Sequence, residues 1–175
     1  MTVPATSGPV SVRLLGRADA DAFLDAVGRS RDLHHPWSYP PDTPDAYREY
    51  TELDPARRVL GVFRTEDDEL CGVFTISQMF YGPFQSAYLG YYAFTPFAGY
   101  GHMRAGLELV LRYAFEELGL HRLQASIQPE NHRSIALVSA AGFRKEGFST
   151  RYLKIGGDWR DHEHWAILAE DRRKS

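Results

Sequence analysis

Three stretches of the chain combine residue types and spacings that can do chemistry. The first is PFAGYGHM, residues 96–103, where Gly99 and Gly101 stand one residue apart. An aromatic, strand-like run precedes them and a long apolar-periodic segment follows. The first amides of a helix lack intrahelical acceptors and carry partial positive charge, so bare backbone there can close on an anion without a basic side chain. The stretch is not a P-loop, because no Gly-Lys-Ser/Thr follows, and not the dinucleotide fingerprint, because Arg104 stands where the third glycine belongs. Read alone, it suits a tight turn as well as it suits a phosphate site. The second stretch is WRDHEHW, residues 159–165, which holds Asp161, His162, Glu163 and His164. His162 and His164 share one face of a strand and could ligate a metal, but no third ligand is in view, so the expectation is no metal. The third is LHHPWSYPPDTP, residues 33–44, whose four prolines preclude regular structure around Trp37 and Tyr39. With Asp42, Asp45 and Glu49 nearby, it offers either an acidic, aromatic wall to a cationic chain end or an ordinary solvated face.

The elements that must position these residues follow from periodicity. Residues 1–9 read as a flexible tail, and a single domain is expected over 10–170. VSVRLL (10–15) alternates like a strand. DADAFLDAVGRSR then puts Phe23, Leu24 and Val27 on one helical face, with Asp19 as its cap. Thr43 and Pro44 open a short helix that runs to about Glu52. RVLGVFR (58–64), the acidic turn TEDDE and LCGVFTISQ (70–78) form a hairpin signature, and SAYLGYYAF (86–94) is a third, tyrosine-dense strand. Met103, Leu107, Val110, Leu111, Ala114 and Leu118 recur at helical spacing until Gly119. HRLQASI is a strand, NHRSIALVSAAG a helix ended by Gly142, and the remainder strands separated by a Gly-Gly-Asp turn. This order predicts an α/β (mixed α+β) domain with helices on both faces of its sheet.

Composition narrows the classes. The 175 residues are 43% hydrophobic with a formal net charge of −3, which suits one core and does not favour direct nucleic-acid binding. The single cysteine, Cys71, excludes an intramolecular disulfide and sits in an apolar run as a buried strand residue rather than a nucleophile. No basic-then-apolar leader and no membrane-length apolar run is present. A reduced, cytoplasmic protein is expected.

Residues 89–148, about a third of the chain, resemble the acetyl-CoA-binding core of the GNAT N-acetyltransferases. The trailing YLKIGGDWRDHEHWAI resembles the Rim branch, which acetylates the N-terminal amine of ribosomal proteins. The match rests on the order strand, glycine loop, helix, strand, N-x-x-S helix start and Gly-Phe ending. In the loop Gly101 matches, Ala98 replaces the usual Gln or Arg, and Met103 replaces a second small residue. N-x-x-S is intact as Asn131 to Ser134, and the Gly-Phe ending is Gly142-Phe143. The resemblance implies a central, twisted, mostly antiparallel sheet with a splayed parallel pair. It implies acetyl-CoA as co-substrate, held by Gly99, Tyr100, Gly101, His102, Met103 and Arg104. The splayed strand, Tyr91 to Phe94, would polarise the thioester, with Tyr92, Ala93 and Phe94 as cofactor contacts. Asn131 and Arg133 at the second helix start would also bind the cofactor, Arg133 at its 3′-phosphate. A helix tyrosine protonates the leaving thiolate in many members, but Val138 stands there. The resemblance to the Rim branch, which can use the serine of N-x-x-S, makes Ser134 the candidate acid, with an ordinary helix serine bonding its own first turn as the alternative. The general base is less defined, because Arg151 stands where a related pattern has glutamate. Asp161, His162 and Glu163 are the nearby candidates, and of these Asp161 and Glu163 are taken forward. The implied reaction is direct acetyl transfer to a primary amine, foremost a protein N-terminal α-amine, by a monomer or homodimer. A small amine (polyamine, amino acid or aminoglycoside) and a non-catalytic acyl-CoA-binding module are the alternatives.

Overall fold

The computed structural model of the protein describes residues 5–174. Strands β1 (Ala5–Ser7), β2 (Val10–Leu14), β3 (Arg58–Arg64), β4 (Leu70–Phe80), β5 (Ser86–Ala93), β6 (Arg122–Ile127), β7 (Arg144–Ile155) and β8 (Asp158–Leu168) form one sheet. Their order is β1-β2-β3-β4-β5-β6-β8-β7. Only β5 and β6 pair in parallel; every other neighbour is antiparallel. The expected tail is thus corrected in part: Ala5–Ser7 ladder against Val10–Val12, while residues 1–4 lie outside the described residues.

Helices α1 (Ala20–Arg29), α2 (Arg31–His34) and α3 (Pro44–Thr51) cover one face, and α4 (His102–Arg112) and α5 (His132–Ala140) the other. Alternation in the strands sorts the core accordingly. Leu60, Val62, Phe74, Ile76, Leu89 and Leu123 pack with Leu107, Leu111 and Val138 under α4 and α5. Val59, Phe63, Val73 and Phe94 pack with Phe23, Val27 and Tyr47 under α1 and α3. α4 continues through one π-helical turn, Tyr113–Glu117, and α3 is capped as its sequence predicts, Thr43 Oγ1 accepting from the Ala46 amide at 3.3 Å. Asp19, expected to cap α1, makes no side-chain cap there. Its carboxylate accepts from the Gly16 amide at 2.8 Å and pairs with the Arg13 guanidinium at 2.8 and 2.9 Å, and those bonds hold it ionised against the cost of its burial.

Candidate active site

The sheet opens where its only parallel pair comes apart. β5 and β6 are in register at Ser86–Arg122, Ala87–Leu123 and Tyr88–Gln124, and there the ladder stops. Beyond it β5 continues to Ala93 beside β4, and β6 continues to Ile127 beside β8. The Phe94 amide donates to Cys71 O at 2.8 Å, towards β4, whereas Gln85 O accepts from the His121 and Arg122 amides on the β6 side. Successive residues of a strand turn their amides to opposite edges, so Tyr92 and Phe94 face β4 while Tyr91 and Ala93 face the gap. Of the expected stretch Tyr91 to Phe94, Tyr91 and Ala93 therefore have their N–H in the opening, while Tyr92 and Phe94 do not. The Tyr92 side chain lies in the other core, its hydroxyl 3.2 Å from that of Tyr50. Ala93 O is held by His34, whose Nε2–H donates to it at 2.7 Å; burial lowers the pKa of that imidazole and keeps it neutral.

α4 begins beside this gap. Gly101 is its N-cap at φ 85°, with Gly99 at φ 88°, a left-handed backbone that glycine adopts without strain. No side chain caps this helix, so the first-turn amides of His102, Met103 and Arg104 are left for another acceptor. A Cβ at either glycine would meet nothing within 4 Å, so their requirement is conformational and the approach to the loop is open. Tyr100 and Arg104 are exposed, His102 stacks edge-on against Phe97, and Met103 packs into the core.

The start of α5 lies on the same face. Asn131 Oδ1 accepts from the Ser134 amide at 3.2 Å, which makes Asn131 an N-cap and leaves its side chain occupied. Ser134 Oγ is 2.7 Å from Tyr91 Oη, and that phenol donates to Ser134 O at 3.1 Å. Burial pushes the Tyr91 phenol far above its ordinary value, partly offset by the bond to Ser134, so it remains protonated. Periodicity identified the strand but gave no sign of this hydroxyl pair, because it joins residues 43 positions apart. Arg133 is exposed, and neither it nor Arg104 forms an ion pair among the described residues. Cys71 is buried and its thiol is pushed up to about 11, which leaves it no thiolate for nucleophilic work.

The DHEH stretch divides between the two faces of β8. Glu163 lies on the α5 face, paired with Lys145 Nζ at 2.5 Å and accepting from Trp165 Nε1 at 3.0 Å; its pKa is lowered mainly by that lysine. Asp161 accepts from the amide of Arg151, itself at φ 49° in a β-bulge. Both expected carboxylates therefore hold structure: one is the partner of a lysine, the other the fastening of a bulge. His162 and His164 face the other way, with Tyr152, Ser149, Ser126 and Gln124 around them. Among the described residues no group of three His, Cys, Asp or Glu side chains could hold a metal ion. The proline-rich loop crosses this face: Trp37 O accepts from the buried Gln128 at 3.3 Å, and the Tyr39 hydroxyl lies against Gly156 in the β7–β8 turn. Asp45 is engaged with Arg48 at 3.0 Å, whereas Asp42 and Glu49 are exposed.

This arrangement can hold an anion at α4 and offer amides to a carbonyl in the gap. Residues 10–144 match the family model of the acetyltransferase (GNAT) domain. The chain is 31% identical to the [ribosomal protein uS5]-alanine N-acetyltransferase of Escherichia coli, over 97% of this chain and 92% of that protein. Among solved structures, the ribosomal-protein-S5-alanine acetyltransferase of Vibrio fischeri superposes with a TM-score of 0.86 at 26% identity, covering 97% of this chain and 98% of that one. RimJ of Mycobacterium smegmatis, solved in complex with CoA-disulfide, gives 0.84 at 29% identity over 96% and 89%. No helix among the described residues is long and apolar enough to cross a membrane.

Proposed function

Because the chain belongs to the GNAT acetyltransferase family, we propose that it moves the acetyl group of acetyl-CoA directly onto the N-terminal α-amine of a protein, a ribosomal protein first among them. The observation that carries this reading is the β5–β6 gap with the uncapped start of α4 beside it. The thioester of acetyl-CoA supplies an activated acyl group. The His102, Met103 and Arg104 amides hold its pyrophosphate, with Gly99, Tyr100 and Gly101 shaping the loop and Arg104 and Arg133 as unpaired cations within reach of phosphate. The Tyr91 and Ala93 amides are preorganised donors for the carbonyl oxygen as charge develops on it. His34, bonded to Ala93 O, fixes the next peptide plane and with it the backbone that follows the Ala93 donor.

Ser134 protonates the leaving thiolate. For this its hydrogen-bond pair inverts, Tyr91 Oη–H donating to Ser134 Oγ while Ser134 Oγ–H is released to the sulfur. Tyr91 Oη, within hydrogen-bond distance of both Ser134 Oγ and Ser134 O, aligns the serine. Glu163 and Asp161 are spent on Lys145 and Arg151 and do not serve as base. A protein α-amine as acceptor is supported by the names of the similar enzymes and by the exposed Asp42, three residues along the loop from Tyr39, which suits a cationic chain end. Such a substrate would place the reaction in the cytoplasm.

The test is turnover of acetyl-CoA with a short peptide beginning in alanine and, separately, with spermidine, followed by mass spectrometry. The expected product is the peptide acetylated on its α-amine, with the matching change on a ribosomal protein in cells lacking or overproducing the chain. Acetylation of spermidine alone would overturn the choice of acceptor.

A further inference from the structure

The face opposite α4 and α5 carries a proton-accepting imidazole that the reading above leaves without a role. A chain of hydrogen bonds fixes its tautomer. Glu146 holds the Arg122 guanidinium at 2.6 and 3.2 Å. Arg122 donates to Gln124 Oε1 at 3.1 Å, which turns the amide nitrogen of Gln124 towards His164, 3.4 Å from Nδ1. A donor facing Nδ1 requires a lone pair there, so the imidazole proton sits on Nε2 and is donated to Ser149 Oγ at 2.8 Å. The same Nδ1 lies 3.2 Å from Ser126 Oγ. Ser126 is two residues beyond the last β5–β6 pair, on the stretch of β6 that borders the open gap.

From this geometry we propose that His164 is the general base of the acetyl transfer, taking the proton of the acceptor ammonium through Ser126. It rests on the acetyl-transfer reading but not on which amine is the acceptor. The ammonium gives one proton to Ser126 Oγ as Ser126 Oγ–H passes its own to His164 Nδ1. The imidazolium that results is stabilised by Ser149 at Nε2 and later returns its proton to solvent. The neutral amine then attacks the carbonyl; its second proton balances the one that Ser134 delivers to the thiolate. The titratable and charged groups around His164 are Tyr152 on β7 (ring centroids 4.6 Å apart), His162 on β8, Tyr88 on β5 beside Tyr152, and Arg122 on β6 acting through Gln124. Asp161 and Glu163, one residue out of phase on β8, project from the opposite face. Ser126 touches the acceptor and is the catalytic contact; Gln124 and Ser149 position the ring.

The experiment measures kcat for the parent, His164→Gln and Ser126→Ala between about pH 6.5 and 9.5, with whichever of the alanine peptide or spermidine the parent acetylates. Positioned general bases contribute on the order of 10²–10⁴ in rate. His164→Gln is expected to lose about a hundredfold at pH 7. With the peptide, whose α-amine has a pKa of about 8, that deficit should shrink by roughly tenfold towards pH 9 as the amine deprotonates unaided. Ser126→Ala, which leaves the imidazole and its packing in place, should show the same recovery with pH at smaller amplitude. A deficit in both variants that is the same fraction at every pH would overturn the proposal and leave His164 a packing residue. A parent enzyme that accepts spermidine but not the peptide changes the acceptor, and the pH test of the relay then runs on spermidine.

Discussion

α4 and α5 begin on the same face of the sheet and beside the same gap, yet their first turns are finished differently. α5 closes on itself, with Asn131 capping the Ser134 amide. α4 starts from Gly101, which has no side chain to offer, and no side chain among the described residues caps it. An uncapped first turn leaves donors that cost free energy unless something accepts from them, and at an open, positively polarised helix end that acceptor is an anion. The contrast separates two tasks that one N-terminus cannot combine. At α5 the cap fixes the backbone so that Ser134 Oγ meets Tyr91; at α4 the missing cap leaves the amides available to phosphate.

The largest effect that would sharpen this contrast is at α5. Ser134→Ala should lower turnover by on the order of 10²–10⁴ while acetyl-CoA affinity stays near that of the parent. Steady-state kinetics beside calorimetric titration checks it, and parental turnover would make Ser134 only part of the helix start. Tyr91→Phe removes both hydrogen bonds of the phenol to Ser134, of net worth about 1 kcal/mol each, and should cost up to roughly thirtyfold in kcat with no loss of binding. Asn131→Ala should cost about 1 kcal/mol of stability, seen as a melting temperature lower by roughly 2–4 °C, because the loss of a cap acts on the fold before it acts on the ligand. Smallest, Arg104→Ala and Arg133→Ala should each weaken acetyl-CoA binding by no more than about fivefold, as expected of exposed cations, with the difference fading at high salt. If either arginine change outweighs everything done to the α4 backbone, phosphate is held by side chains and the comparison fails.

The parts of this site that were readable in the sequence are those built from contiguous residues. The glycine loop, the α4 periodicity, N-x-x-S and the Gly-Phe ending each lie within one short segment, so their types and spacing carry the geometry. What escaped was set by register between distant strands. Alternation shows that Asp161 and Glu163 oppose His162 and His164, but which pair lies on the α5 face depends on β8 pairing with β6, not with β7 alone. The Tyr91–Ser134 contact joins a strand to a helix across the sheet face, and no local pattern announces it. Gln124, Ser126 and Ser149 are ordinary polar strand residues until the ladder places them around one imidazole. Ala5–Ser7, lost among Pro and Gly signals, form a strand because β2 offers them an edge.

The central claim is that acetyl-CoA is held by backbone at Gly101, and a pair of substitutions there tests it most directly. Gly101→Asn and Gly101→Asp impose the same left-handed backbone strain, which Asn and Asp tolerate better than other non-glycine residues, and they differ in charge alone. A carboxylate about 4 Å from a phosphate at an effective dielectric near 20 is repelled by about 4 kcal/mol. Allowing for rearrangement, Gly101→Asp should bind acetyl-CoA roughly a hundredfold more weakly than the parent, about 2.7 kcal/mol, by calorimetric titration. Gly101→Asn should melt within a few degrees of Gly101→Asp and bind acetyl-CoA more tightly than it, though below the parent, because an N-cap side chain can compete for the first-turn amides. A folded Gly101→Asp protein that binds acetyl-CoA as tightly as Gly101→Asn would contradict the account and put the pyrophosphate somewhere other than the start of α4.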